Sequence, residues 1–481
     1  MQARILLREV GDLDQPSFAR TITTDLVRSF APAPHHRFNG GRGSSSGSSS
    51  IVDEDRPHSL RAHGPGVSAL ALEKFDGRLL LSGGADGSIK IWDLESCVNP
   101  HAAHTFTPVA TIARSSETST AGHSHGITHL DFFPFDPDAF LSSAYDKTLK
   151  LWSTERAALS AEFDLNATIY SHSTSQIADH LIVACATQHS HVRLVDLKSG
   201  SAIQALVAHG GPVLSTAWSP RHEYVLASGH ADGKVRIWDI RRAGGVIAQL
   251  DQEDSLGVVH RFRHAVASRT DLSNVSHFRN SAQAHDDAVN GLGWTDDGRY
   301  IVSAGHDRRI RVWDADTGAN TLASFGALVQ NSHVKTVNFL LTPSNLSEDR
   351  EIIFWPNDQE ILAFNLHDGK LINRLRSPGT ANPVGPRGST MGSNRITDIV
   401  WRGSGGSGRQ MGAVMGGGNS SGAIYSAHLD GQIRAWMPHL PGPDDVDENE
   451  ELNEDEEARR KKRKAVDDAY KSLMGKQVTF I

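Results

Sequence analysis

The stretch from His209 to Asp239 decides the fold, and its second half reads Leu226-Ala227-Ser228-Gly229-His230-Ala231-Asp232-Gly233-Lys234-Val235-Arg236-Ile237-Trp238-Asp239. His209 stands 23 residues before Asp232, Ser228 stands 4 before it, and Trp238 stands 6 after it. The same offsets return in His63, Ser82, Asp86 and Trp92, and again in His123, Ser142, Asp146 and Trp152. His285, Ser303, Asp307 and Trp313 repeat them with one residue fewer in the first gap, and Ser426, Asp430 and Trp436 repeat the last part. Two weaker copies complete the set: Val195-Asp196 takes the Trp-Asp place in one, and Asp358 with Phe364 keeps the final offset in the other. The units ending at Trp152, Val195 and Trp238 lie 43 residues apart.

That period is the one shown by WD40 repeats, in which each unit is a four-stranded antiparallel blade. Seven units predict an all-β, seven-bladed WD40 propeller. Ala85-Asp86-Gly87, Ala231-Asp232-Gly233 and Leu429-Asp430-Gly431 are tight-turn triplets between alternating strands. The turn Asp is placed to hold the His, and the His to hold the Ser and the indole nitrogen. Such a buried chain is stable when every member is satisfied, and it then sets strand register. The same residue types could serve acid-base chemistry or metal binding. Recurrence in unit after unit favours a structural network, because chemistry needs one copy only.

Composition agrees. The 481 residues suffice for one large propeller with tails, and 44 glycines suit many short strands and turns. A net charge of −8 supplies no global basic field for nucleic acid. Cys97 and Cys185 are the only two cysteines, which speaks against a disulfide framework and for a reducing compartment. No apolar run approaches the ~18 residues of a membrane span, and no apolar signal region precedes Asp12 and Asp14.

Residues 1–30 fit no blade. Leu6, Leu7 and Val10 lie on a short apolar helix that Gly11 ends. Pro16 opens a second helix, on which Phe18, Ile22, Leu26 and Phe30 recur every four residues. This predicts a helix-loop-helix whose apolar stripe packs either on its own propeller or in a partner's groove. Residues 31–54 read as a flexible linker because Gly40 to Ser50 is Gly/Ser-rich, which favours the partner. The propeller is expected over 55–440, with residues 55–62 as the outer strand of the last blade. Insertions are expected at 98–121, 251–281 and 376–422. His101, His104, His123, His125 and His129 crowd the first of these, yet no Cys or carboxylate cluster completes a zinc set, so no metal is assigned. The glycine runs 403–408 and 416–422 lack the Lys-Ser/Thr of a phosphate loop, and no cofactor is assigned. In the tail, 441–481, ten of the fourteen residues from Asp444 to Glu457 are acidic. Arg459, Arg460, Lys461, Lys462, Arg463 and Lys464 follow, a composition suited to nuclear import, since the acidic run would repel phosphates.

Some stretches go beyond the repeat pattern. Thr168-Ile169-Tyr170-Ser171-His172, Asp196-Leu197-Lys198-Ser199-Gly200, Ser215-Thr216-Ala217-Trp218-Ser219-Pro220-Arg221 and Ile237-Trp238-Asp239-Ile240-Arg241-Arg242-Ala243 resemble the Cockayne syndrome group A family. So do Leu60 to Asp93, His285 to Phe325 and Leu13-Asp14-Gln15-Pro16, in all roughly three quarters of the chain, as in a divergent member of fungal type. The resemblance implies a substrate receptor of cullin-4 RING ubiquitin ligases, acting in transcription-coupled nucleotide excision repair in the nucleus. Its implied partners are the three-propeller damage-specific DNA-binding adaptor, stalled RNA polymerase II and the Cockayne syndrome group B-type ATPase. It places adaptor contacts on the N-terminal helices and on Trp238, Asp239 and Arg241 of the Trp-Asp-x-Arg motif. Trp92-Asp93 and Trp313-Asp314 run on to Glu95 and Asp316 and do not complete that motif. Region 340–425 matches poorly. Neither a Ser/His/Asp set nor a nucleotide loop stands out, so a non-enzymatic receptor is expected, with a generic nuclear scaffold as the alternative.

Overall fold

The fourth repeat shows how a blade forms. Strands Val213–Trp218, Val225–His230, Val235–Asp239 and Val246–Gln249 pair antiparallel in chain order. β-branched and small residues bury both faces, since neighbouring blades cover each side. The Ala231-Asp232-Gly233 turn works because Gly233 takes φ 78°, a left-handed value that glycine adopts without a Cβ clash.

The computed structural model describes residues 2–11, 14–41, 61–99, 102–116, 121–242, 245–255, 282–344, 351–376, 395–402 and 422–438. Seven blades follow in order, six of them with four strands. In blade 5, Val289–Trp294, Tyr300–Gly305 and Ile310–Asp314 form three strands, and Trp313 makes a single bridge to Asn320 where a fourth would lie. The two weak repeats are true blades. Val195 is buried in strand Val192–Asp196 and Phe364 in Glu360–Asn365, each filling a tryptophan's place. Successive blades stack through apolar seams. Ile91, Phe140 and Trp152 fill one, and Ala227, Val289 and Trp313 another.

Ring closure differs from the sequence expectation. The outer strand of blade 7 is Phe30–Pro32, not residues 55–62, of which 55–60 lie outside the described residues. Phe30 pairs with Pro438, Ala31 with Met437 and Pro32 with Trp436. Proline is tolerated there because the strand is an edge. Nor is 31–54 a linker throughout. His36–Phe38 pairs in parallel with His104–Phe106, residues that the sequence assigns to an insertion. Pro108–Ile112, inside the same expected insertion, is the outer strand of blade 1. A short strand beyond a long polar loop gave no periodic signal of its own. The expected insertion 376–422 is not one throughout either, since Ile396–Arg402 inside it is the first strand of blade 7; residues 256–281, 377–394 and 403–421 of the expected insertions and the tail from 439 lie outside the described residues.

The N-terminal helices are α1, Gln2–Val10, and α2, Gln15–Arg28. Phe30 is therefore strand, not helix. Its ring is 4% exposed and meets Phe354 edge-on at 6.0 Å. Val27 joins it in the seam with Ile399 and Trp436. Asn373 Nδ2 donates to the Arg28 carbonyl at 2.8 Å. The second helix thus packs on its own propeller.

Replacing Phe30 with Ala should destabilise the protein by about 3–5 kcal/mol, the usual cost of emptying a buried aromatic site. Thermal unfolding followed by circular dichroism measures it. A melting temperature within a degree of the parent would mean that blade 7 closes without this strand.

Candidate functional site

Five blades carry a buried serine that accepts the indole N–H of its tryptophan. Trp92 donates to Ser82 at 2.9 Å, Trp152 to Ser142 at 2.7 Å, Trp238 to Ser228 at 2.7 Å, Trp313 to Ser303 at 2.9 Å and Trp436 to Ser426 at 2.9 Å. In blades 1, 2 and 5 a histidine from the preceding loop completes the chain. His63, His123 and His285 present Nε2 to that serine at 2.8, 2.6 and 2.7 Å. Nδ1 of His123 meets Asp146 at 2.9 Å, and Nδ1 of His285 meets Asp307 at 3.0 Å. Asp86 lies 3.9 Å from His63, with Ser88 between them at 3.0 Å from the imidazole and 2.6 Å from the carboxylate.

Blade 4 departs from the expectation. His209 is exposed and outside the network. His230, wholly buried, holds Ser228 at 2.8 Å instead. His428 does the same for Ser426 at 2.9 Å. The position two residues after the serine differs between the two sets: Gly84, Ala144 and Gly305 stand there in blades 1, 2 and 5, and His230 and His428 in blades 4 and 7. At Gly84 a Cβ would fall 2.5 Å from His63 Nδ1, and at Gly305 2.7 Å from His285 Nδ1, so these two blades have no room there for a second side chain. Asp232 turns to Arg236 at 2.9 Å, and Asp430 to Arg434 at 3.0 Å.

Sequence reasoning passed over these cations, although their position was readable. Lys90, Lys150, Arg236, Arg311 and Arg434 each stand two residues before the tryptophan. Lys90 donates to the Ala62 carbonyl at 2.7 Å, Lys150 to the Gly122 carbonyl at 3.0 Å and Arg236 to the His209 carbonyl at 2.7 Å. They tie each loop to its own blade.

The expected adaptor residues divide. On α1, Leu6, Leu7 and Val10 are 59%, 45% and 73% exposed. Phe18 is half-buried with the Arg8 guanidinium 5.0 Å over its ring, and Leu26 is half-buried. The Ile22 side chain lies outside the description, and Phe30 is unavailable to a partner because it closes the ring. Trp238 is likewise buried in its own blade. Arg241 clamps Asp239 with Nε at 3.0 Å and Nη2 at 2.8 Å, and its guanidinium lies 4.8 Å over Tyr224. Those hydrogen bonds hold the Asp239 carboxyl below the usual range, although burial opposes them. Residues 459–464 lie outside the described residues. The histidines weighed as a metal site separate: His123 serves Ser142, His104 faces Ser96, and His129 stacks edge-on against His172 at 4.6 Å. Among the described residues no group of three or more His, Cys, Asp or Glu has the geometry to hold a metal ion. No described helix is long and apolar enough to cross a membrane.

The central channel was not singled out in the sequence. Six first strands carry a bulge at their second residue, as between Val67 and Ala69 or Val213 and Leu214-Ser215. Bulges free backbone groups from the ladder, and here they face the channel. The segment before Leu340–Leu341 uses them. Thr336 donates to the Leu214 carbonyl at 2.8 Å, Lys335 to the Ser68 carbonyl, and the Asn290 amide to the carbonyls of His333 and Lys335 at 2.9 Å each. Asp398, also inside, accepts from Leu70 N–H at 2.7 Å and Asn338 at 3.1 Å.

Two outcomes test the network. His230→Ala should cost about 1–3 kcal/mol by stranding Ser228, while His209→Ala should stay within about 0.5 kcal/mol of the parent. Equal effects on the melting temperature would contradict this assignment. Burial also depresses His63 to about 4 and, aided by the charge of Arg236, His230 to about 3. The unfolded chain, with histidine near pKa 6.5, then binds more protons than the fold below that pH. Stability should fall as pH drops from about 6.5 towards 4, and a flat melting profile over that interval would refute the depressed values.

The comparisons with known proteins agree with the architecture. The WD40 family, WD domain, G-beta repeat, matches at residues 55–93, 114–153, 200–239 and 277–314. WD repeat-containing protein ATCSA-1 of Arabidopsis thaliana is 29% identical over 377 residues, 68% of this chain and 82% of that protein. Radiation-sensitive protein 28 of Saccharomyces cerevisiae is 25% identical over 275 residues, 55% of this chain and 53% of that protein. Ribosome biogenesis protein YTM1 of Phaeosphaeria nodorum is 26% identical over 275 residues, 53% of this chain and 55% of that protein. The chain spans about half the length of the last two. These findings correct the assignment to the Cockayne syndrome group A family. Relatives with different roles in their names stand at similar low identity. What the comparisons and the fold establish together is a seven-bladed β-propeller of WD40 repeats.

Proposed function

We propose that this protein is a nuclear, non-catalytic docking scaffold, in which the propeller holds one protein while α1 engages another. The observation that carries the reading is the exposed row of Leu6, Leu7 and Val10, on a helix whose neighbour α2 is anchored in the ring. An apolar face held out on a fixed mount suits insertion into a partner's groove. The finer reading is a substrate-recognition subunit of a cullin-4 RING ligase in transcription-coupled repair, bridging the ligase adaptor to stalled polymerase and its repair ATPase. The extent of similarity to ATCSA-1 supports it. A second reading, a scaffold in ribosome biogenesis with no ligase link, is supported by similarity to the YTM1 proteins. Nuclear residence is supported by the basic block 459–464.

Titration against purified adaptor separates these readings. Changing Leu6, Leu7 and Val10 together to Asp should weaken binding by about tenfold or more, at unchanged melting temperature, because buried apolar anchors carry most interface energy. Deleting residues 1–30 would be a poor substitute, since it removes Phe30 from blade 7. Parent-like binding by the triple variant would remove α1 as the docking element. If the parent itself ignores the adaptor and co-purifies with ribosome precursors, the second reading replaces the first. Gln at 459–464 should shift the protein to the cytoplasm, and an undiminished nuclear signal would remove the import assignment.

A further inference from the structure

A propeller ring closes where the two ends of its chain meet, and here the outer closure is short. Phe30–Pro32 gives blade 7 a three-residue outer strand, whereas those of blades 2, 3 and 6 run to seven, six and six residues. Pro32 also has no N–H to donate. The helical pair leads straight into this strand, so a load on the helices reaches the outer closure first.

A second set of contacts crosses the same joint on the channel side. From blade 7, Thr397 donates to the Val67 carbonyl at 2.6 Å and Asp398 accepts the Leu70 N–H at 2.7 Å. Lys335, in the segment that enters blade 6, reaches past blade 7 to the Ser68 carbonyl of blade 1. Asn338 of the same segment donates to Asp398 at 3.1 Å, and Thr336 anchors it to the Leu214 carbonyl of blade 4 at 2.8 Å. This segment can cross the channel because it joins its own sheet only at Leu340–Leu341, where the first strands of the other blades run to six or seven residues. Val67, Ser68 and Leu70 are thus all held from across the joint.

Charge sets this joint apart. The seams between blades 1 and 2, 3 and 4, and 4 and 5 are bridged by neutral donors: Ser68 to the Ile127 carbonyl at 2.7 Å, Ser171 to the Leu214 carbonyl at 3.3 Å and Trp294 to the Ala217 carbonyl at 3.1 Å. Asp398, by contrast, is a carboxyl only 2% exposed. Burial pushes it up and pushes the Lys335 amine down to about 8, and the strongest counter-influence on each is the charge of the other. Either charge alone in that place would be costly, so the two act as a unit.

We propose that this ring is closed twice: outside by Phe30–Pro32, and inside by a charged clasp in which Asp398 and Lys335 hold Val67–Leu70 across the joint. The clasp keeps the ring shut when the outer strand is drawn away, as a partner gripping the helices would do. It goes beyond the docking reading and stands whether or not α1 binds a partner.

Distance measurement between two spin labels on the full-length protein tests it. The labels sit on cysteines introduced at Ala85 and Leu429, exposed and equivalent turn positions of blades 1 and 7, with Cys97→Ser and the buried Cys185 left in place. Phe30→Ala breaks the outer closure. Lys335→Met keeps the stem and removes the charge, and Asp398→Asn removes the other charge at equal size. Each of the three alone should keep the single distance of the parent. Phe30→Ala combined with either inner variant should add a second, longer distance, because the open ring becomes populated only when both closures are lost. Circular dichroism confirms that the blades remain folded, and Phe30→Leu supplies a milder outer lesion where a combination does not fold. A longer distance in Phe30→Ala alone would show that the outer strand is the sole closure, and the parent's distance in every combination would show that the clasp closes nothing. Either result overturns the proposal.

Discussion

A serine hydroxyl buried in a blade has one proton and two neighbours to satisfy. The indole N–H can only donate, so the serine oxygen accepts it and the hydroxyl proton turns to histidine Nε2. In blade 2 the other nitrogen then turns its proton to Asp146, and in blade 5 Nδ1 of His285 lies between Asp307 and the Arg311 guanidinium. Blades 1, 2 and 5 are thereby pinned at three points: the turn, the central strand and the loop entering the blade. Dispersion across the seams supplies most of the cohesion, but it is indifferent to a slip in register. The polar chain is not, because a one-residue shift would orphan every member at once.

The network has two solutions in one molecule. Where a loop histidine fills the space, as in blades 1 and 5, glycine follows the serine at the second position. Where the strand itself carries histidine, the loop histidine is absent or turned outward, and the Asp pairs with an arginine two residues before the tryptophan. Both versions satisfy the serine, but in blade 4 the second leaves His230 Nδ1 buried without a partner. Their difference lies on the surface. In blade 4 the loop side chain of His209 is released to the surface, whereas a cation two residues before the tryptophan stands in both versions, and Arg311 pairs with Asp307 in blade 5 as Arg236 does with Asp232 in blade 4.

Closure links the two ends of the propeller. Blade 7 takes its outer strand from residues 30–32, directly after α2, so the helical pair is mounted on the ring's closing joint. Val27 of α2 and Phe30 just after it are consumed by the seam, and α1 retains the exposed face. The channel side is organised by other means. Bulges in the first strands free carbonyls, and the His333–Asn338 segment meets them with Lys335 and Thr336.

What the sequence determined by itself was everything local in the chain. Offsets between Ser, Asp and Trp specify a hairpin and its turn, so blade number, the weak blades at Val195 and Phe364, and the serine–tryptophan pairs were all legible. The cations before each tryptophan were equally legible and were passed over. His230 was hidden for a different reason: two histidines flanked one serine, and only the folded blade shows which one is buried against it. Strand Phe30–Pro32 is three residues long and pairs with residues some four hundred positions away, so no periodicity could announce it. Tertiary structure decided these points because hydrogen-bond satisfaction and steric exclusion are properties of neighbours in space.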